Sequence, residues 1–415
     1  MGEKDFLLKP KGVYLFGVFL VLVALVVADI SCNSQSGNTS DAVPEPLRGD
    51  SIKIGVCMPT VGPLAGLAAL QAEGIRAAFQ MEGAAKGRPV ELVFSGPGYS
   101  DKEFGKLYET LPGRDHVSAV ITCTSAEVVA SQLGVFKDSA IPLIVTSPSG
   151  TSWKTKESSS IVRTCTTLDD QANASARFVA DTLHARKLGV ILDVEDATCV
   201  QLVSLFSANI VRQGGSIMDV AYVKKNEDPS PALTHLMGEK PDAVYVPFSA
   251  STSTAMIIKA RAINKDRPMI VSNVQPEEAV LSGAGRSLEG VYVLTDFHEQ
   301  AVISSLGRKF VKFCHNNMKK QGEVGPSIAM GADAYFLAIN LILGSQQRGG
   351  EGSTPQGVRR NESILDLSGA GPFGALRSQL PVGCIQKKFM HGANLKYIGL
   401  VDVKGLDSRT DVRAQ

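Results

Sequence analysis

The sequence has no excess of charge of either sign and few aromatic residues. Lysine and arginine number 42 against 41 aspartates and glutamates, which gives a formal net charge of +1. No basic stripe stands out, and this balance argues against a nucleic-acid partner. Aromatic residues make up 6% of the chain, and Trp153 is the only tryptophan. The hydrophobic content of 44% and the charged content of 20% are typical of a globular protein.

Motifs for catalysis and for metal binding are also missing. The six histidines are dispersed and form no HExxH motif or histidine–cysteine cluster. There is no GxSxG motif, no phosphate-binding loop and no pair of carboxylates in a catalytic context. The GAGPFG stretch at 369–374 has the glycine spacing of a dinucleotide-binding loop, but it contains Pro372 and lacks the flanking strand–helix unit. The sequence therefore predicts a protein that is not an enzyme and that uses no cofactor or metal.

The cysteines do not follow a disulfide or metal-site pattern. Apart from Cys32 there are six, widely spaced and without a CxxC pair: Cys57, Cys123, Cys165, Cys199, Cys314 and Cys384. An even number in an exported chain is compatible with disulfides. Several of them lie within apolar, strand-like runs, which favours buried free thiols.

The N-terminus has the layout of an export signal. Three lysines precede an apolar run at 13–28, and the sequence DISC ends at Cys32. The run is shorter than the roughly 20 residues that a membrane-spanning helix needs. The segment 1–32 resembles a bacterial lipoprotein signal, which predicts lipidation of Cys32, although Asp29 stands where such signals usually carry an aliphatic residue. Cleavage elsewhere and an uncleaved anchor are the alternatives.

Residues 33–50 are polar and contain proline and glycine, as in a flexible tether. Together with the export signal, the tether predicts an exported protein that is periplasmic or anchored to the membrane and facing the periplasm.

From Ser51 onward, short aliphatic runs alternate with segments of helical periodicity. The predicted strands are 51–58, 90–94, 118–122, 143–146, 188–192, 243–246, 268–271 and 290–294. The predicted helices are 64–81, 101–111 with Asp101 as cap, 126–137, 168–185 with Thr167 and Asp170 as capping box, 198–213, 253–262, 276–284, 304–321 and 330–343. This alternation predicts an α/β protein with two doubly wound parallel-sheet domains. The stretches 383–389 and 396–403 predict an antiparallel pair after that pattern ends.

Three of the six segments that follow the predicted strands are rich in serine and threonine. The six segments are 59–63, 123–127, 146–153, 193–198, 247–254 and 272–278, and almost none contains a lysine or arginine. Serine and threonine at these positions either cap the following helices or bind a carboxylate or other small polar group. Residues 146–152 carry five hydroxyls, more than capping needs, which favours binding.

The order of several motifs resembles the branched-chain amino-acid type of periplasmic substrate-binding protein, the receptor of ABC importers. The motifs are IKIGVCMPTVGPLAG, GIRAAFQ, AKGRPVELV, HVSAVIT, AIPLIVTSPSGTS, IVRTCTTLDDQANASARFVAD, KPDAVYV and GADAYFLA. The resemblance implies three hinge crossovers, near 163–166, 294–297 and 369–373, and a ligand cleft between the domains. It places 51–164 and 296–370 in an N-terminal lobe, 165–295 and 371–405 in a C-terminal lobe, and 406–415 in a tail.

The same resemblance implies a set of ligand-binding residues. In the first domain, hydroxyls and backbone groups hold a ligand carboxylate, and the matching positions are Thr124 or Ser125 with Ala126, and Ser147, Ser149, Gly150 and Thr151. The second domain departs from the family pattern: Ser249 or Ala250 replaces an expected aromatic residue, and Asn273 or Gln275 an expected acidic one. Asp196 is a candidate for that acidic group, beside Asp193 and Glu195. Trp153 is either a lid over the ligand or a surface anchor for its own loop.

The sequence thus predicts an extracytoplasmic receptor that captures a small polar ligand, an amino acid or related carboxylate, and delivers it to an ABC permease. The alternative is a sensory or scaffolding protein on the same fold, which binds a signal ligand or a protein partner. The unusual second-domain positions favour that alternative to some extent.

Overall fold

The structure is a computed structural model. It describes residues 51–62, 64–85, 87–95, 98, 100, 103–131, 141–146, 161–224, 226–247, 250–272, 291–302, 304–318, 324–346, 379–387 and 393–402. All of them belong to one compact unit, Arg48–Gln415. Two sheets organise these residues, and each sheet with its helices is called a lobe below.

The first lobe is built on a six-stranded sheet. Its strands are β1 (Ile52–Cys57), β2 (Ala84–Ala85), β3 (Arg88–Phe94), β4 (Ala119–Thr122), β5 (Leu143–Val145) and β6 (Ile161–Arg163), in the order β2-β3-β1-β4-β5-β6. The pairs from β3 to β6 are parallel, and β2 pairs antiparallel with β3. The helices of this lobe are α1 (Ala65–Glu82), α2 (Phe104–Asp115), α3 (Ala126–Ser131), α8 (Ser305–Asn317) and α9 (Pro326–Gln346).

Apolar side chains cover both faces of the first sheet. One core contains Ile54 and Ile121 with side chains of α1, α8 and α9, and the other contains Val120 and Val145 with side chains of α2. Buried parallel strands covered on both faces explain why this region consists of short aliphatic runs.

The second lobe is built on a seven-stranded sheet. Its strands are β7 (Lys187–Asp193), β8 (Ser216–Val223), β9 (Ala243–Val246), β10 (Met269–Val271), β11 (Val291–Leu294), β12 (Gln379–Lys387) and β13 (Ala393–Asp402), in the order β13-β12-β11-β10-β9-β7-β8. Its helices are α4 (Leu168–Arg177), which continues as a π-helical turn (Phe178–Thr182), α5 (Ala197–Arg212), α6 (Ser230–Gly238) and α7 (Ala250–Ile263). The predicted antiparallel pair is confirmed by β12 and β13, which extend the parallel strands at one edge.

The chain passes between the sheets at two described places. β6 pairs within the first sheet, whereas Leu168 at the start of α4 lies in the core of the second lobe. β11 pairs within the second sheet, whereas Phe297 lies in a core of the first. Thr166 donates a hydrogen bond to the carboxylate of Asp296, so the two passages lie side by side. The residues predicted for the third crossover, 369–373, lie outside the described part of the chain, and the lobe boundaries stay a prediction.

Most predicted helices are confirmed, with shifted ends. Thr167 caps α4 by accepting a hydrogen bond from Asp170 N, as predicted. α9 begins at Pro326, one turn before the predicted start, because proline is accepted in the first helical turn. The predicted cap of α2 is wrong: the helix begins at Phe104, and the Glu103 carboxylate accepts hydrogen bonds from Ser100. The predicted helix 276–284 lies outside the described residues.

By length and composition, the segment Pro326–Leu343 of α9 could cross a membrane. Most of this segment is buried inside the first lobe, which is the position of a core helix. The N-terminal apolar run and Cys32 lie outside the described residues.

Candidate functional site

The carboxyl ends of the first-lobe strands are joined by hydrogen bonds. The Thr122 hydroxyl, at the end of β4, donates to the carbonyl oxygen of Cys57 at the end of β1 (3.1 Å). Thr146 follows β5, and its main-chain N–H donates to the carbonyl oxygen of Thr122 (2.9 Å). Thr122 and Thr146 are fully buried. These bonds fix the main chain at three neighbouring strand ends, from which the predicted ligand-binding segments continue.

A helix side chain completes this hydrogen-bonded array. Gln71 of α1 donates from Nε2 to the carbonyl oxygen of Thr146 (2.9 Å), and its Oε1 accepts a hydrogen bond from the Thr146 hydroxyl. That hydroxyl also lies 3.1 Å from the carbonyl oxygen of Thr122. Gln71, Thr122 and Thr146 are not among the individually predicted site residues. Gln71 could have been found, because its spacing from Ala68 and Ile75 places a polar residue on the buried face of α1.

Two predicted ligand-binding residues lie directly after β4. Thr124 is fully buried, and Ser125 is partly buried. The Ser125 hydroxyl accepts from Val128 N (3.4 Å), so it caps α3, whose first residue is Ala126. Capping and ligand binding were the two alternatives for these hydroxyls, and Ser125 has at least the capping role. Ser147, Ser149, Gly150, Thr151 and Trp153 lie outside the described residues.

In the second lobe, the candidate acidic residues bind the backbone of their own loop. Asp196 is the N-cap of α5, and its Oδ1 accepts from Thr198 N (2.8 Å) and Cys199 N (3.1 Å). Asp193 Oδ1 accepts from Glu195 N (2.9 Å). Asp196 therefore has a structural role as the cap of α5. Ser249 and Asn273 lie outside the described residues.

A buried tyrosine lies behind the strand ends of the second lobe. The Tyr245 hydroxyl of β9 is 2.5 Å from the hydroxyl of Ser272, which follows β10, and it also bonds to Ser175 of α4. The Tyr245 ring stacks on Phe206 with a centroid separation of 3.9 Å. Burial raises the pKa of Tyr245 well above its usual value, so the phenol stays neutral and acts as a structural hydrogen-bonding group.

One cationic side chain lies where the chain first leaves the first sheet. Arg163 ends β6, and burial lowers the pKa of its guanidinium, while Cys165 and Asp170 act in the opposite direction. An arginine stays protonated through a shift of this kind. Arg163 therefore supplies a fixed positive charge at the passage between the lobes.

The described cysteines agree with the prediction of free thiols. Cys57, Cys123, Cys165, Cys199 and Cys314 are all free and buried. Burial raises the pKa of the Cys199 and Cys314 thiols to about 12, which makes them unreactive at neutral pH. No group of three or more histidine, cysteine or acidic side chains that could hold a metal ion occurs among the described residues.

Comparison with solved structures finds the same fold in several solute-binding proteins. It is similar to a leucine binding protein, LivK, from Thermotoga maritima, with 21% identity, a TM-score of 0.68, and coverage of 85% of this chain and 99% of the other. An ABC transporter substrate-binding protein from Sphaerobacter thermophilus has 17% identity and a TM-score of 0.70, with coverage of 85% and 98%. A solute binding protein from R. palustris in complex with 4-hydroxybenzoate has 19% identity and a TM-score of 0.66, with coverage of 85% and 97%. At these identities the likeness establishes the fold.

A comparison with curated protein sequences finds no significant match. A family model described as periplasmic binding protein matches residues 51–375. This range contains strands β1 to β11 and helices α1 to α9, and β12 and β13 follow it. The match spans most of the chain, so the chain belongs to the periplasmic binding protein family.

Proposed function

We propose that this protein is a solute receptor that binds a small carboxylate between its two lobes and delivers it to an ABC permease. Membership of the periplasmic binding protein family implies an extracytoplasmic location and a binding role rather than an enzymatic one. The observation that carries the proposal is the hydrogen-bonded array of Cys57, Thr122, Thr146 and Gln71. It holds the strand ends from which the two hydroxyl-rich segments, 123–127 and 146–153, continue.

The chemistry of these two segments fits a carboxylate. The segments CTSAE and TSPSGTSW contain seven serine and threonine side chains and no lysine or arginine. Thr146 is already engaged in the array, which leaves six. Hydroxyl and main-chain N–H groups are the donors that bind a carboxylate without a cationic side chain. In this proposal Thr124, Ser125, Ala126, Ser147, Ser149, Gly150 and Thr151 hold the carboxylate.

The names of the similar structures support the same chemical class. One is a leucine binding protein and another is in complex with 4-hydroxybenzoate. Leucine and 4-hydroxybenzoate share a carboxylate next to an apolar body, and they differ in the amino group. The second lobe then decides between them, with Asp196, Ser249 and Asn273 as the candidate contacts and Trp153 as a candidate cover.

The export segment completes the proposal. A lipid on Cys32 and a tether at 33–50 would hold the two lobes near the permease, at the outer face of the inner membrane. Cell fractionation followed by mass spectrometry of the mature N-terminus distinguishes lipidation of Cys32 from cleavage elsewhere and from an uncleaved anchor.

A thermal-shift screen tests the binding proposal. The purified protein is stripped of carried-over ligand by reversible denaturation and tested with amino acids, small carboxylates and aromatic acids, each beside its primary amide. A ligand at a hundredfold excess over its Kd stabilises the folded state by about 2.7 kcal/mol. We expect a shift with one or more carboxylates and none with the matching amides.

Two variants assign that shift to the first lobe. Thr124→Val and Thr151→Ala should abolish it, whereas Thr110→Ala should retain it, because the Thr110 hydroxyl is exposed and donates to Leu107 O within its own helix, α2. If no compound shifts the midpoint, the transport proposal fails. The sensory or scaffolding alternative, with a protein partner, then becomes the better explanation.

A further inference from the structure

Gln71 occupies the closest contact between two helices of the first lobe. An added Cβ on Gly331 of α9 would lie 2.0 Å from the carbonyl oxygen of Gln71, and one on Gly74 of α1 would lie 1.9 Å from the carbonyl oxygen of Ile328. The two glycines therefore allow the helix backbones to touch. This close crossing buries the Gln71 side chain completely, against the end of β5.

The buried amide uses both of its functional atoms. Its Nε2 donates to the carbonyl oxygen of Thr146 and lies 3.3 Å from the sulfur of Met330, while its Oε1 accepts from the Thr146 hydroxyl. Burial of an amide is unfavourable unless its hydrogen bonds are made. A leucine would fill the same space without that cost, so packing alone does not explain a glutamine at this position.

The partner of Gln71 is the last described residue before a predicted ligand-binding segment. Thr146 also bonds to Thr122, which precedes Cys123, Thr124 and Ser125 by one to three positions. One helix side chain is thus connected to the starting points of both segments. A displacement of Thr146 would therefore move the starting points of both ligand-binding segments.

We propose that Gln71 is a positioning residue for ligand binding: its amide fixes the main chain at Thr146 and, through Thr122, at the start of the segment that contains Thr124 and Ser125. The role in binding rests on the proposed function. The coupling of Gln71 to the 146–153 segment does not, and it can be measured without a ligand.

A substitution at Gln71 can break the hydrogen bond from its Nε2 to Thr146 O reversibly. Gln71→Glu keeps the size and the acceptor oxygen, but the ionised carboxylate cannot donate to Thr146 O and faces that oxygen with a like charge. The protonated acid can donate again. Burial raises the pKa of a carboxyl group, so lowering the pH from about 8.5 to about 5 should restore the hydrogen bond.

The single tryptophan reports directly on the 146–153 segment. Acrylamide quenching and the emission maximum of Trp153 are measured for the wild type, Gln71→Glu and Gln171→Glu over this pH range. Gln171 is the matched control, because it is a buried helical glutamine whose Nε2 also bonds a main-chain carbonyl, Thr166 O, but at the first passage between lobes. We expect the acrylamide quenching constant of Trp153 in Gln71→Glu to differ from the wild-type value by at least about twofold at high pH. At low pH it should return to the wild-type value.

The proposal is overturned if Gln71→Glu follows the wild type at every pH, or if Gln171→Glu shows the same pH-dependent change. If Gln71→Glu does not fold, Thr146→Val serves instead. It removes the hydroxyl bond to Gln71 Oε1 and should give a smaller change in quenching that does not depend on pH.

Ligand affinity is measured with L-leucine and 4-hydroxybenzoate by calorimetry on the same three proteins. For a probe that the wild type binds, the Kd of Gln71→Glu should rise about tenfold at high pH, the effect of one lost buried hydrogen bond, and recover at low pH. A changed Trp153 signal with an unchanged Kd would overturn the positioning role. If neither probe binds the wild type, the proposed function loses support for these two ligands, while the fluorescence result still decides the coupling of Gln71.

Discussion

The two lobes have the same layered architecture but use buried polar side chains differently. In the first lobe, Gln71, Thr122 and Thr146 bond to main-chain carbonyl groups of neighbouring strands and so fix the backbone. In the second lobe, Tyr245 bonds to the side chain of Ser272, and Asp196 bonds to the start of its own helix. A bond to a carbonyl group of a neighbouring strand fixes the main chain where a loop begins. The Tyr245–Ser272 pair joins elements through side chains instead, and the Asp196 cap stabilises its own helix. Among the described residues, the first lobe thus has more side-chain bonds to main-chain carbonyl groups at its strand ends.

The helix packing shows the same contrast. In the first lobe, the contact between α1 and α9 brings backbone against backbone at Gly74 and Gly331. In the second lobe, an added Cβ on Gly189 of β7 would meet a leucine methyl group, Leu236 Cδ1, at 2.9 Å. A terminal methyl group can turn away, and a helix backbone cannot. Errors of packing should therefore be more costly in the first lobe.

The largest expected effect comes from adding one methyl group at the helix crossing. Gly74→Ala and Gly331→Ala each force α1 and α9 apart, and each should lower the free energy of unfolding by about 3 kcal/mol, at the upper end of the usual cost of overpacking. Gly189→Ala should cost about 1 kcal/mol, because the Leu236 side chain can shift. Urea unfolding of the three variants measures these differences.

Gly66→Ala is the matched control within α1. No heavy atom lies within 4 Å of its added Cβ, so the change should leave stability unchanged or raise it by less than about 1 kcal/mol through helix propensity. Equal losses for Gly74→Ala and Gly189→Ala would contradict the difference in packing between the lobes.

The backbone pattern of the fold was readable from the sequence because buried parallel strands leave a strong signal. Strands such as β4 and β9 are buried at every position and consist mainly of aliphatic residues, and the helices between them have clear apolar spacing. β8 was missed because it is an edge strand: Asp219 and the exposed Tyr222 interrupt its apolar pattern. β6 was missed because it is short and only its first residue, Ile161, is buried, whereas the equally short β5 and β10 are buried throughout.

The site was predictable only in part, for a different physical reason. Thr124 and Ser125 could be placed at a strand end from the alternation of strands and helices together with the family resemblance. The contact between Gln71 and the end of β5 could not be predicted, because Thr146 is 75 positions away and the contact depends on how closely α1 and α9 approach. Local periodicity marks Gln71 as buried and does not indicate what it binds.

The next largest effect should come from the tyrosine pair of the second lobe. Tyr245→Phe leaves the buried Ser272 hydroxyl without its phenol partner and should cost about 1–2 kcal/mol in the free energy of unfolding. Ser272→Ala should cost a similar amount. The double variant should cost clearly less than the sum, because it removes both members of the Tyr245–Ser272 bond, while Ser175 keeps its own bond to Gln171 O.

This double-mutant cycle also tests the comparison between the lobes. Each single variant should leave ligand affinity within about threefold of the wild type, since the Tyr245 hydroxyl bonds to the side chains of Ser272 and Ser175, behind the strand ends. Purely additive losses would mean that the pair is not the unit that stabilises this part of the lobe.

The smallest expected effect concerns Asp196 and separates capping from ligand binding. Asp196→Ala should lower the free energy of unfolding by about 1 kcal/mol, because Thr198 N and Cys199 N lose their acceptor, whereas Asp196→Asn keeps an oxygen at the cap and should be nearly neutral. Affinity for an amino acid should then fall in Asp196→Asn only if the carboxylate also pairs with the ligand ammonium. Affinity for an aromatic acid without an amine should not change. Calorimetry of Asp196→Asn with the amino acid and the aromatic acid therefore shows whether Asp196 recognises the ligand amino group. Weaker binding of both probes would instead mean that the helix cap positions the binding residues. The second lobe would then fix its loops through buried polar side chains, as the first lobe does.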